Sequence, residues 1–102
     1  MVETPPPPPP TRFELGQVVV TRAVAARIKE DDEFRRFVGA CLGRHADGDW
    51  GELDPEDKKA NEEALRYGGR LFSAYEKWPL PKIWIITEAD RSATTILFPE
   101  EY

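Results

Sequence analysis

The chain has 102 residues, 40% hydrophobic and 32% charged, with a formal net charge of −5, which is room for one domain and one core but not two. The acidic balance disfavours generic binding to nucleic-acid phosphates, and the single cysteine, Cys41, excludes an intrachain disulfide and a cysteine-based zinc site and fits a reducing compartment. No charged segment followed by an apolar run opens the chain, and no stretch approaches the roughly 18 apolar residues of a spanning helix, so the expectation is a cytoplasmic protein with no membrane partner.

Residues 1 to 11 contain the run Pro5 to Pro10, which favours extended polyproline II and reads as a tail outside the core. Pro7, Pro10 and Arg12 match a PxxPxR docking pattern, but the tail is read as a spacer with no assigned partner. Residues 12 to 102 read as a single α+β domain. Phe13 to Val20 reads as the first strand, with Val18, Val19 and Val20 as its buried half and Gly16 as a bulge or irregular entry. Thr21 suits an N-cap, and Val24 and Ile28 lie one turn apart on a short helix that ends near Glu30, Asp31 and Asp32.

Asp31 or Asp32 caps a second helix, on which Phe34, Phe37, Val38, Cys41 and Leu42 fall at i, i+3, i+4, i+7 and i+8 and form one core-facing stripe. Cys41 is therefore read as a small buried hydrophobe, not a reactive thiol. Arg35, Arg36 and Arg44 lie off the stripe on a solvated face, and the helix should fail at Gly43 or shortly after. The segment Arg44 to Leu53 is punctuated by turn formers, and Trp50 is expected to pin it to the domain. Asp54, Pro55, Glu56 and Asp57 combine an N-cap, a first-turn proline and first-turn acids, predicting a third helix to about Tyr67. Its narrow buried edge should comprise Ala60, Ala64, Leu65 and Tyr67, with Gly68 and Gly69 as the stop.

Leu71 to Trp78 reads as a strand, joined by the rigid connector Pro79, Leu80 and Pro81 to a hairpin. In that hairpin Ile83 to Glu88 and Ala93 to Phe98 flank the polar loop Ala89 to Ser92. Two-residue and four-residue loops give the same register, placing Ile85 opposite Ile96, Ile83 opposite Phe98 and Thr87 opposite Thr94. The other face carries Trp84, Ile86, Thr95 and Leu97, so both faces are largely apolar and the hairpin belongs at the centre of a sheet. The predicted order is one strand, three helices, then a three-stranded antiparallel meander, in one sheet packed by helices. Phe72, Tyr75, Trp78, Trp84 and Phe98 are a generous aromatic load for three short strands. Either all are core, or a residual patch faces a partner protein or a second copy.

The chemically suggestive residues are His45, Asp47 and Asp49 with Trp50 in one segment, and Glu88, Asp90 and Arg91 at the hairpin tip. Histidine and carboxylates can bind a divalent metal or perform acid and base chemistry if folding joins the two groups. Short Asp-x-Asp spacing also occurs in ordinary turns, a lone histidine gives no paired-ligand spacing, and Asp90 and Arg91 read as a solvated turn with a local ion pair. No phosphate-binding loop, dinucleotide fingerprint or nucleophile elbow is present. The seven residues are taken as a candidate interaction surface, and no catalytic residue, metal or cofactor is assigned.

The strings GDWGELDPEDKKANEEAL and IWIITEADRSATTILFPEEY resemble a family of small bacterial proteins known loosely as plasmid-related proteins, over roughly His45 to Tyr102. Some members carry a type I restriction subunit label, although a chain this short has no room for a methyltransferase cofactor domain. The resemblance implies a mobile-element setting in a bacterial host and carries over no activity and no catalytic residue. The expected function is a small, acidic, non-enzymatic module that binds another protein, with a homodimer also open, as an inhibitor of a host defence or regulatory component. The alternative is a small ribonuclease-like toxin or a metal-dependent hydrolase using His45 and nearby carboxylates.

Overall fold

The computed structural model describes residues 11–102; the proline-rich tail expected for residues 1 to 11 lies, apart from Thr11, outside them. Strand β1 (Gln17–Val20) leads into helices α1 (Arg22–Glu30), α2 (Asp32–Ala46) and α3 (Pro55–Tyr67). Strands β2 (Leu71–Lys77), β3 (Leu80–Thr87) and β4 (Ala93–Leu97) and a 3-10 turn at Pro99–Glu101 follow. Each helix begins at a side-chain cap that satisfies an orphan amide of the first turn. Thr21 Oγ1 accepts from the Val24 amide at 3.2 Å, Asp31 Oδ1 from Phe34 at 3.1 Å and Asp54 Oδ1 from Asp57 at 2.8 Å.

The strands form a four-stranded mixed sheet in the order β1, β4, β3, β2. The antiparallel meander is present, with Ile85 opposite Ile96 and Thr87 opposite Thr94. The sheet is nevertheless not a meander alone, because β1 adds to β4 in parallel, Val18 opposite Thr94 and Val20 opposite Ile96. A parallel neighbour needs a long crossover, which the three helices together with β2 and β3 supply. This position makes β1 an edge strand, so Val18, Val19 and Val20 are not a buried half: they are 41%, 37% and 38% exposed.

Strand alternation separates two faces. Leu71, Ser73 and Tyr75 share one with Ile83, Ile85, Thr87, Thr94 and Ile96, and all three helices pack on it. Val24 from α1 and Phe34, Phe37, Val38 and Cys41 from α2 meet Tyr75, Ile83, Ile85 and Ile96, while Ala64 of α3 and Trp50 meet Leu71. Burial pushes the Cys41 thiol up to about 12, which keeps it protonated.

Two boundaries and the buried edge of α3 differ from the sequence expectation. Helix α2 continues past Gly43 to Ala46 because His45 and Ala46 are buried, and that packing outweighs the cost of about 1 kcal/mol for an internal glycine. The buried residues of α3 are Asn61 and Ala64; Ala60 is exposed and Tyr67 is 79% exposed. The connector is shorter than Pro79 to Pro81, since Leu80 and Pro81 already belong to β3, and Trp78 at that turn stands 92% exposed.

The outer edge of β2 is closed by the segment around Trp50 and by α3. Asn61 bonds both backbone groups of Phe72, Nδ2 donating to its carbonyl at 2.6 Å and Oδ1 accepting from its amide at 3.0 Å. Ala74 exchanges bonds with the Trp50 carbonyl and the Glu52 amide, and the Glu76 amide donates to Glu52 Oε2 at 3.0 Å. Both backbone groups of Phe72 and Ala74 and the amide of Glu76, every second residue along that edge, are therefore engaged, the usual protection of an edge strand.

Candidate functional site

His45 lies in the last turn of α2 and is fully buried. Its Nδ1 meets Ser73 Oγ, and its Nε2 lies 2.9 Å from Thr87 Oγ1. Thr87 Oγ1 is in turn 2.7 Å from Thr94 Oγ1, which donates to the Leu15 carbonyl at 2.7 Å. A carbonyl only accepts, so the direction of the whole chain follows from its last link. Thr94 gives its proton to Leu15, Thr87 gives its own to Thr94, the Nε2–H of His45 donates to Thr87, and Ser73 donates to Nδ1. The ring is held as the neutral Nε2–H tautomer with both nitrogens used, and burial lowers its pKa to about 4. Ser73 is itself fully buried, so the serine and histidine pair reaches no substrate.

The remaining candidates are dispersed around this network. Asp47 caps the end of α2 and is exposed. Asp49 pairs with Arg44, at 2.7 and 3.2 Å, and that hydrogen-bonded guanidinium holds its carboxyl below the usual carboxylate range. Trp50 does pin its segment: it is 4% exposed and its Nε1 donates to Glu62 Oε2 at 2.8 Å. Glu62 also takes both guanidinium nitrogens of Arg12, at 2.8 and 3.0 Å. His45 and the two aspartates do not converge on a common point, and among the described residues no group of three His, Cys, Asp or Glu side chains is placed to hold a metal.

At the hairpin tip Asp90 Oδ1 accepts from the Ser92 amide at 3.0 Å, whereas Arg91 departs from the expected solvated turn. Its Nη1 donates to the carbonyls of Gly69 at 2.6 Å, Glu88 at 3.1 Å and Ala89 at 3.1 Å, and Nη2 donates to the Ala64 carbonyl at 3.1 Å. It fastens the tip to the C-terminal end of α3, where a cation is favoured and where the Ala64 carbonyl also accepts from the Gly68 amide at 2.9 Å. Phe13 joins the two candidate groups from between: its ring lies 5.2 Å from His45, 6.1 Å from Trp50 and 6.0 Å from the Arg91 guanidinium. The sequence signal for this role was an aromatic residue just past the proline tail, which the strand assignment absorbed.

A second site was not assembled from the sequence. On the sheet face opposite the helices, Arg70, Phe72, Trp84, Ile86 and Tyr102 line an open, mainly apolar slot of about 290 Å³. Trp84 is central, edge-on to Phe72 at 4.9 Å and to Tyr102 at 5.6 Å. Arg70 sits at the rim, its Nη1 3.3 Å from the Tyr102 hydroxyl and its Nε 3.7 Å from Glu88 Oε2. Phe72, Trp84 and Ile86 project to this face by alternation along adjacent strands. Aromatic walls with a few polar rim groups are the usual make-up of a recognition pocket. No family model, no curated protein and no solved structure matches the chain.

Proposed function

We propose that the protein is a non-enzymatic protein-interaction module of a bacterial mobile element, one that binds and blocks a host defence or regulatory protein. The observation that carries the binding reading is the aromatic slot on the helix-free face of the sheet. Trp84 there is only half-buried, between Phe72 and Tyr102, with Arg70 on the rim. Aromatic and arginine side chains are the residue types that dominate binding energy at protein interfaces. The mobile-element setting rests on the resemblance of the Ile83 to Tyr102 segment to plasmid-related proteins.

The reading also follows from how the suggestive polar residues are used. His45 is spent on the interior, Arg91 on holding α3, and Asp49 on Arg44, which leaves the slot, with its mainly apolar and aromatic lining, as the surface suited to a partner. The test is affinity purification from a bacterial host at native expression, comparing the wild-type chain with a Phe72→Ala, Trp84→Ala variant of verified fold. The expected result is a defined protein retained by the wild type and lost from the variant. A partner retained equally by both would remove the slot from the reading, and no specific protein with either would remove the reading itself.

A further inference from the structure

The two edges of the sheet are treated differently. The β2 edge has its backbone groups bonded by Asn61, Trp50 and Glu52, whereas beyond β1 no described segment pairs. The amides of Gln17 and Thr21 donate to the carbonyls of Ser92, just before β4, and Ile96 of β4, so by the alternation of strand geometry the N–H and C=O groups of Val18 and Val20 point away from the sheet. Natural edges are usually blunted by lysine, proline, a bulge or a covering segment. The sequence Gln17-Val18-Val19-Val20 contains no charge and no proline, and its three valines are each more than a third exposed.

We propose that β1 pairs with β1 of a second copy of this chain, antiparallel about a two-fold axis through Val19, joining two four-stranded sheets into one of eight strands. Of the antiparallel registers that set outward-facing backbone groups against each other, this one pairs the three valines among themselves, with Gln17 opposite Thr21. Val18 and Val20 of one copy exchange backbone hydrogen bonds with Val20 and Val18 of the other, and Val19 lies against Val19 as a non-hydrogen-bonded pair, where side chains approach closest. Each exposed valine then has a valine neighbour. The flanking charges also agree: Glu14 precedes the strand and Arg22 follows it, both exposed and, among the described residues, both outside the ion pairs. An antiparallel two-fold brings Arg22 of each copy toward Glu14 of the other. A self-complementary patch of this kind is what a two-fold interface requires.

The contact is small beside the roughly 800 Å² per partner of a standard interface. The dimer is therefore weak, with a dissociation constant on the order of 10 to 1000 μM. The proposal is independent of the aromatic slot, which lies near the opposite edge on β2 and β3.

Sedimentation equilibrium of the full chain from about 10 μM to 1 mM should give an average mass rising toward twice that of the monomer, and Val19→Lys should hold it at the monomer with an unchanged melting midpoint. Register is tested separately with single cysteines, since Cys41 is buried and stays silent. Under mild oxidation Val19→Cys should cross-link into a covalent dimer many-fold faster than Val18→Cys, whose facing residue is Val20. A wild-type chain that stays monomeric throughout the range, or equal cross-linking from both positions, would overturn the proposal. Should Val19→Lys fail to fold, the cysteine pair and the wild-type concentration series still decide it.

Discussion

Nε2 of His45, on the last turn of α2, donates to Oγ1 of Thr87, on the last residue of β3, across 2.9 Å of fully buried interior. The bond fixes the end of a helix to the end of a central strand, and the neutral state of the ring is what lets its other nitrogen, Nδ1, accept from Ser73.

The first prediction is a pH dependence. The folded-state pKa of His45 is about 4 against an ordinary 6.5, so between these values the unfolded chain takes up a proton that the folded chain refuses. Stability therefore falls as pH drops from 6.5 to 4, by on the order of 3 kcal/mol from this residue alone. Asp31, Asp49, Glu62 and Asp90 have lowered pKa values, and their contributions are also lost toward acid. Urea unfolding of the wild type and His45→Gln at pH 7 and 4.5 isolates the histidine. The variant should be less stable at neutrality but clearly shallower in its dependence, and parallel curves would show that His45 does not titrate on unfolding.

The second concerns the hairpin tip. Arg91→Ala removes a guanidinium shared by carbonyls of α3, the following loop and the tip, and should cost about 1.5 to 3 kcal/mol, with Arg91→Lys restoring only part because one ammonium cannot span the set. Asp90→Ala, which loses one exposed bond to the Ser92 amide, should stay within about 1 kcal/mol. Equal effects in chemical denaturation would mean that Arg91 does not clamp α3.

The third tests the closed edge. Asn61→Leu leaves the amide and carbonyl of Phe72 without their partner and should destabilise by about 2 to 4 kcal/mol, with concentration-dependent aggregation on heating as the β2 edge opens. Light scattering during a thermal ramp reads the second effect, and a variant as soluble as wild type would show that the edge is protected by other means.

The fourth is steric. Gly51 has φ +74, and a Cβ there would collide with the Ala74 carbonyl oxygen, so Gly51→Ala combines a left-handed backbone with a clash against β2. A loss of about 3 kcal/mol or more is expected, together with weakened amide exchange protection at Glu52 and Ala74. Wild-type protection at both would show that the segment can withdraw from β2 at little cost.

What the sequence disclosed was local. The hairpin register followed from period-two patterning around a short loop, the caps at Thr21 and Asp54 from residue type, with Asp31 and Asp32 both open for α2, and the α2 stripe from its spacing. What stayed hidden depends on residues distant in sequence. Nothing near Arg91 announces that its guanidinium will reach Ala64 and Gly69, and nothing near His45 announces Thr87. The slot draws Phe72, Trp84 and Tyr102 from separate segments; the aromatic load of the strands left core and residual patch both open, and nothing in the sequence adds Tyr102 to such a patch. Val18 to Val20 were misplaced for a related reason: a run of valines signals a strand, but whether neighbours lie on one side or both is decided by topology.

The parallel pairing of β1 with β4 also sets an order of events. The strand made first can bond only to the strand made last, so a nascent chain carries three unmatched valines until Thr94 to Ile96 have cleared the ribosome. The helices and the β2 and β3 pair can form earlier from contacts nearer in sequence, whereas the segment leading into β1 closes last, when Thr94 reaches Leu15. Such long-range closure is slow and leaves a sticky strand uncovered meanwhile. For this protein the docking of β1 therefore waits on synthesis even where the rest folds earlier, and the strand stays unpaired for at least the translation of everything between Val20 and Thr94.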